Sequence, residues 1–257
     1  MDGDGLPAAD RPAPAYDGVA ATALAERLAV PRLVLYDAVG STMDVAHALA
    51  AGGAPHGTVV LADAQHGGRG RAGRAWQSPP GSGIWLTAVA RPHDGAALEV
   101  LALRVGLRLA EALAPHVDGA LGVKWPNDLL VAGRKLAGIL VEARWRDARP
   151  EWAAIGVGVN VRPPATFADA AALRAGTPRL VALDGVVVAV RAAIEAAGPL
   201  TADELTRLSA RDAIRGRTVA EPMAGVAAGI GANGALLVRD AAGVVHEVRQ
   251  TQVAFAD

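Results

Sequence analysis

Residues 67–76 read GGRGRAGRAW and place Arg69, Arg71 and Arg74 within six residues. A guanidinium pairs with a carboxylate or a phosphate through two parallel hydrogen bonds, so three in one loop are a device for meeting anions. Gly68, Gly70 and Gly73 let the backbone take unusual dihedrals and approach a ligand closely. The cations repel one another when nothing neutralises them, which predicts a loop that stays mobile until an anion arrives. The same glycines satisfy G-x-G-x-x-G formally, but a dinucleotide site needs a helix to start there. Ser78-Pro79-Pro80-Gly81 cannot continue a helix, and a strand-like run follows. A kinase glycine loop also lies between strands, yet no HRD or DFG segment appears later in the chain.

A second group occupies residues 124–142, KWPNDLLVAGRKLAGILVE. Pro126 stops a strand and Asn127-Asp128 favour a turn, which projects a carboxamide and a carboxylate at the end of a sheet. Lys135 begins the next strand, and a period of two sets its side chain on the face of Ala137, Ile139 and Val141. An ammonium on that apolar face is costly unless an anion meets it, and a bound carboxylate or phosphate would be one. Residues 156–161, GVGVNV, repeat the logic: small residues leave space and Asn160 offers donor and acceptor. Taken singly, these segments also fit a basic surface loop, a hairpin edge and a tightly packed strand. Their joint occurrence points to chemistry.

The elements that must position these residues follow from apolar periodicity. Residues 1–17 are rich in Pro, Ala, Gly and Asp and read as a mobile tail, followed by a short helix over 18–29. Strands are expected at 33–36, 58–62, 84–90, 121–125, 129–131, 136–143 and 153–161. Ser41 and Asp44 have the spacing of a capping box ahead of a helix that ends at Gly52-Gly53. An amphipathic helix is expected over 96–114, and two more over 184–197 and 202–212, the last opening with Thr201 and Glu204 as a capping box. Tight turns between strands require antiparallel pairing. The expectation is an α+β fold with a mixed, largely antiparallel sheet and helices mainly on one face. Short β runs after Arg215 suggest a small C-terminal β-barrel. The division expected is a tail and short helix over 1–30, a catalytic domain over 31–213 and the β module over 214–257.

Composition excludes several classes. The chain of 257 residues is 52% apolar and 20% charged, which suits a globular protein. Its formal net charge of −1 provides no overall field for nucleic acid or an anionic membrane, so any phosphate must be met by local cations. There are no cysteines, which removes disulfides, thiol catalysis and thiolate metal sites. The six histidines form no metal-ligand spacing, so no protein-built metal site is expected. Asp2 and Asp4 stand where an export signal needs cations, and no apolar stretch is long enough to span a bilayer; a cytoplasmic location is the reading. Nor is there space before Leu33 for a helix-turn-helix module.

GRGRAGRAW, KWPNDLLVAGRKLAGILVE and GVGVN, in this order, resemble the signature segments of biotin protein ligases, and VGSTMD at 39–44 is similar to that family's Ser-Thr-Asn segment. The resemblance runs over residues 33–257 and implies a class II synthetase-like catalytic domain with an SH3-like C-terminal module, of the monofunctional type. It implies that biotin and Mg²⁺-ATP give biotinyl-5′-AMP, and that a lysine of a biotin carboxyl carrier protein then takes the biotinyl group. By position, Ser41, Thr42 and Gln65 would bind the biotin ureido ring, with Met43, Gly68 and Gly138 lining the same pocket. Arg69, Gly70 and Arg71 would close over carboxylate and phosphate, and Lys135 would bridge the two. Arg74, Trp76, Asn127, Asp128 and Asn160 would serve the adenylate, and Lys135, Arg69 and Asp128 would be catalytic. Met43 departs from the family pattern, which has Asn there, and His66 reads as a loop residue. Trp125, Trp145 and Trp152 read as packing residues. The competing readings are a lipoate or octanoate ligase of the same fold, a biotin-responsive repressor and a non-catalytic biotin-binding module. No nucleic-acid or membrane partner is expected, and a homodimer would need an exposed sheet edge.

Overall fold

The computed structural model describes residues 10–92, 94–162, 170–249 and 254–255. In chain order its elements begin with β1 (Arg11–Pro12), β2 (Ala15–Tyr16), β3 (Val19–Ala20), α1 (Ala21–Leu28), β4 (Leu33–Val39), α2 (Thr42–Ala51) and β5 (Val59–Gln65). Next come β6 (Gly83–Ala90), α3 (Gly95–Glu99), α4 (Leu101–Leu113), β7 (Leu121–Lys124), β8 (Asp128–Val131), β9 (Arg134–Arg146) and β10 (Arg149–Asn160). The remainder are α5 (Arg179–Ile194), α6 (Ala202–Ser209), β11 (Thr218–Glu221), β12 (Gly225–Ile230), β13 (Leu236–Arg239), β14 (Val245–Val248) and β15 (Ala254–Phe255).

Eight strands form the main sheet in the order β1-β4-β5-β6-β10-β9-β8-β7. Only β4 and β5 run parallel, and α2 is the crossover that parallel neighbours require. Helix α2 packs Met43, Ala46 and Ala50 on Val60, Val89 and Ala154 of one sheet face. The opposite face carries α1, α4 and α5, whose Leu24, Val105, Leu109, Val186 and Val190 share one core with Leu61, Leu86, Ile139 and Ile155. Helices therefore lie mainly on one face, and α2 alone covers part of the other. Arg104 is fully buried in that core, paired with Glu204 at 2.8 Å and donating to the carbonyls of Gly198 and Pro199. The capping box of Thr201 and Glu204 is formed as its spacing predicted.

Five expectations change. The helix expected over 96–114 is two, α3 and α4, because Val100 leaves the helical ladder as it turns into the core. Ser41 caps α2 through the amide of Met43 and forms no box with Asp44, whose carboxylate pairs with Arg69. Residues 10–17, expected as tail, are built into the fold: β1 pairs with β4, Asp10 accepts from the Gly40 amide, and buried Tyr16 lies under the guanidinium of Arg179. Arg179 is further held by Asp17 and Asp63, and α5 starts there, directly after Pro178, rather than at 184. The C-terminal strands form an antiparallel sheet ordered β14-β13-β12-β11-β15, and among the described residues its outer strands do not pair to close a barrel.

That second sheet hangs from the first. The 211–213 segment runs beside β7, with the Val123 amide donating to Arg211 O at 2.7 Å and the Ala213 amide to Val123 O at 3.0 Å. Trp125 Nε1 donates to Gly234 O at 2.9 Å, so the residue that precedes Pro126-Asn127-Asp128 is fastened to the turn before β13. No helix among the described residues is long and apolar enough to cross a membrane.

Candidate active site

The sheet face beneath α2 is paved with glycine. Gly138 of β9 stands opposite Gly158 of β10, and Gly156 lies two residues along the same face. The space these glycines leave is filled from within the protein. A Cβ at Gly158 would stand 2.5 Å from the indole of Trp76, and one at Gly138 would stand 3.0 Å from it. A Cβ at Gly156 would meet Met43 Sδ at 2.9 Å. Trp76 therefore lies flat on a glycine floor, edge-on to Trp85 at a centroid distance of 6.4 Å. Its Nε1 is buried and has no hydrogen-bond partner among the described residues.

Lys135 does not share the face of Ala137, Ile139 and Val141. The β8–β9 pairing slips: Leu129 stands opposite Ala137, but Leu130 stands opposite Lys135, so Leu136 is the extra residue of a bulge. A bulge of one residue reverses the alternation. The lysine is thereby brought to the glycine face, with Nζ 3.3 Å from where a Gly138 Cβ would be and 5.1 Å from the Trp76 ring centroid. Its side chain is 38% exposed, and the anion it needs is already present: Asp128 Oδ1 lies 2.7 Å from Nζ. This is a charge contact without hydrogen-bond alignment, since the same oxygen lacks a directed donor. Asp128 faces Gly138 across the ladder, which sets carboxylate and ammonium side by side.

The arginine loop makes its contacts with the protein's own groups. The Gly70 amide donates to Arg74 O at 2.7 Å and the Trp76 amide to Gly68 O at 2.8 Å, with Ala72 and Gly73 at positive φ between them. The absence of a Cβ at Gly68 is required here, because one would stand 2.3 Å from Trp76 O. Arg69 is neutralised by Asp44 at 2.8 Å and faces Glu142 at 3.7 Å. Arg71 points to the other end, donating to Asn127 Oδ1 at 3.0 Å. Burial lowers the Arg71 pKa from its usual value, and the nearby charge of Asp128 opposes that shift. Arg74 contributes its backbone to the loop, and its side chain is exposed.

Asn127 also donates to Ile139 O at 2.7 Å, and Asn160 donates to the carbonyls of Lys135 and Ala171. Both carboxamides thus brace the strands that carry Asp128 and Lys135. At the far side, Thr42 donates to Gln65 Oε1 through its amide at 2.9 Å and its hydroxyl at 3.0 Å, and the hydroxyl also meets Thr87. Gln65 Nε2 donates to Ser78 Oγ at 2.8 Å, and Ser41 is buried at the head of α2. His66 is an exposed loop residue. The structure thus brings Lys135, Asp128, Asn127, Arg71 and Trp76 together, sets Thr42 and Gln65 on the same sheet face, and turns Arg69 toward α2. Sequence reasoning missed Asp44, Glu142, His47 and Trp152 around Arg69, and Thr87 beneath Thr42. The three-residue spacing of Asp44 and His47 was the one available signal. Trp145, read as packing, is half exposed, whereas Trp125 is buried.

Residues 36–160 match the biotin/lipoate A/B protein ligase family. The bifunctional ligase/repressor BirA of Bacillus subtilis is 38% identical over 142 residues, 53% of this chain and 43% of that protein. The biotin–[acetyl-CoA-carboxylase] ligase of Mycobacterium tuberculosis is 41% identical over 128 residues, 48% of this chain and 46% of that one. The chain spans about half the length of the curated relatives it matches. Its fold is that of the biotin protein ligase from Aquifex aeolicus solved with biotin and ATP, with a TM-score of 0.71 and 23% identity over 88% of this chain and 99% of that one. Over residues 36–160 the chain is thus similar to the biotin/lipoate A/B protein ligase family.

Proposed function

We propose that the chain is an ATP-dependent biotin protein ligase, with residues 31–213 as its catalytic unit and 214–257 as an accessory one. The supporting observation is the convergence of Lys135, Arg71 and Asp128 on one end of a glycine-floored face whose other end carries Thr42 and Gln65. In the first step a carboxylate oxygen of biotin attacks the α-phosphorus of ATP and pyrophosphate leaves. Two anions must meet in that transition state, so fixed cations aimed at their junction lower its energy. Lys135 and Arg71 are the cations so placed, each already desolvated in part and held beside a carboxylate or carboxamide that orients it. The buried hydroxyl and amide of Thr42, with Gln65 and Ser41, offer polar contacts for the ureido ring. Met43 and Gly138 line that pocket, Gly68 and Gly70 shape the loop over it, and Trp76, Arg74, Asn127 and Asn160 belong to the adenylate side.

In the second step a carrier lysine attacks the acyl carbon of the mixed anhydride and AMP leaves. At pH 7 about one lysine in 2,500 is neutral. Asp128 accepts the proton of the incoming ammonium once Lys135 has turned to the phosphate. Among the described residues no group of three His, Asp or Glu side chains is spaced to hold a metal ion. Mg²⁺ carried by the triphosphate needs one or two carboxylates, and Asp128 fits that need; the ion would screen phosphate charge.

Incubation with biotin, Mg-ATP and a biotin carboxyl carrier domain, followed by intact-mass measurement of the carrier, tests the reading. The expected result is a single biotinyl addition. Pyrophosphate exchange supported by lipoate or octanoate, and not by biotin, would transfer the assignment to the lipoate branch of the family.

A further inference from the structure

A line of polar contacts runs behind the arginine loop and takes no part in the two steps above. Trp152 Nε1 donates to His47 Nδ1 at 3.0 Å, and His47 Nε2 lies 3.1 Å from Glu142 Oε2. Arg69 is held between that carboxylate, 3.7 Å away, and Asp44, at 2.8 Å. Three elements supply these groups: α2 carries Asp44 and His47 one turn apart, β9 carries Glu142, and β10 carries Trp152. An indole N–H can only donate. Nδ1 of His47 must therefore accept, which leaves the ring proton of the neutral imidazole on Nε2, facing Glu142. The imidazole is thus fixed at one nitrogen and fixes a carboxylate with the other.

Each ion pair on Arg69 is partly solvated and weak by itself, since the arginine side chain is 36% exposed. Their effect lies in where they act. Arg69 begins the loop whose Arg71 rests at Asn127, and within the loop the backbone closure depends on a few bonds between Gly68 and Trp76. We propose that His47 is a positioning residue: with Trp152 behind it, it holds Glu142 toward Arg69, and this anchorage pre-orders the loop that delivers Arg71 to the reacting anions. What the loop does in catalysis rests on the ligase reading; that the relay orders the loop does not.

The test uses the full chain and two readouts. Amide hydrogen exchange over residues 67–76 is followed by mass spectrometry in the wild type, His47→Leu, His47→Gln and Trp152→Phe. Losing the bond to Glu142 in His47→Leu, or the indole bond that orients the ring in Trp152→Phe, should speed local opening about fivefold. A glutamine carbonyl can accept from the indole while its NH₂ donates to Glu142, so His47→Gln should stay within about twofold of wild type. In the activity arm, the KM for biotin and ATP in pyrophosphate exchange should rise in His47→Leu by no more than that factor, because affinity falls only with the fraction of loops that are closed. The kcat for transfer from preformed biotinyl-AMP should hold. Unchanged exchange in both His47→Leu and Trp152→Phe, acceleration spread evenly over the sheet, or a glutamine variant that behaves like the leucine one would each overturn the relay. A wild type without biotin-dependent pyrophosphate exchange would instead sink the ligase reading, and the hydrogen-exchange arm would still judge the relay.

Discussion

Gly158→Ala is the sharpest probe of how Trp76 sits. The added methyl would lie 2.5 Å from Cε2 and Nε1 of the indole and 2.8 Å from Cζ2. Carbon atoms rest about 3.5–4.0 Å apart, so the rigid ring must lift by about 1 Å. It has little room to slide, because Gly138 supports it from β9 and Trp85 stands against its edge. Overpacking of this kind costs about 1–3 kcal/mol. For a chain of this size that lowers the melting temperature by roughly 2–12 °C. Lifting the ring also alters its contact with the Lys135 ammonium, 5.1 Å from the centroid, and misplacement by about 1 Å at a reacting centre can cost up to ~100-fold in rate. Scanning calorimetry and biotin-dependent pyrophosphate exchange read the two effects. The decisive control is the double-mutant cycle with Trp76→Leu, which removes the ring. In that background Gly158→Ala should cost less than about 0.5 kcal/mol. Equal cost with and without the indole would show that the floor is not there to seat Trp76.

Other perturbations separate the charged groups. Lys135→Gln should lower pyrophosphate exchange by about 10²–10³-fold, as expected for a group that meets charge developing in the transition state; a loss under tenfold would remove it from that role. Asp128→Asn should slow carrier labelling from preformed biotinyl-AMP, and an unaltered rate would remove the carboxylate from the second step. Arg71→Ala should release more free biotinyl-AMP into solution than Arg69→Ala, because Arg71 is the guanidinium at Asn127 and Asp128 while Arg69 is taken up by Asp44; chromatography of the products decides, and the reverse order would count against the geometry. Glu204→Gln should lose about 3–5 kcal/mol at pH 7, since it leaves the fully buried Arg104 without its counter-charge. Burial alone would raise the Glu204 pKa, but the Arg104 hydrogen bond and charge and the Thr201 amide outweigh it and leave it lowered. The unfolded chain then takes up the proton more readily, so the contribution is full above the ordinary carboxylate range and fades as pH falls through the lowered value. Melting curves of wild type and Glu204→Gln should therefore converge in acid, and a gap that widened there would refute the linkage.

Much of the architecture is written in short-range patterns. Short apolar runs identify β5, β6 and β10, and the Thr201–Glu204 spacing announces α6 before any packing is known. What escapes is whatever depends on a partner distant in sequence. Strict alternation puts Lys135 in the core, and only the pairing slip against β8, at Leu136, brings it to the site. The glycines of 156–161 read as space for a ligand, because nothing local says that Trp76 and Met43 lie on them. Pro-rich residues 10–17 resemble a tail until Arg179, more than 160 positions later, supplies a partner for Asp17. Three like charges show no counter-charge of their own nearby in sequence, because Asp44 and Glu142 come from α2 and β9.

The margins of the main sheet bear on self-association. One lies under Arg11–Pro12, which are bonded along Tyr36–Ala38, and the other is strapped at Val123 by residues 211–213. At those positions amides and carbonyls of β4 and β7 that would template a neighbouring strand are already engaged. Pairing of two copies along β4 at Tyr36–Ala38, or along β7 at Val123, must peel away the leading segment or the strap. The strap is the costlier to detach, since it joins the second sheet to the hairpin bearing Asp128.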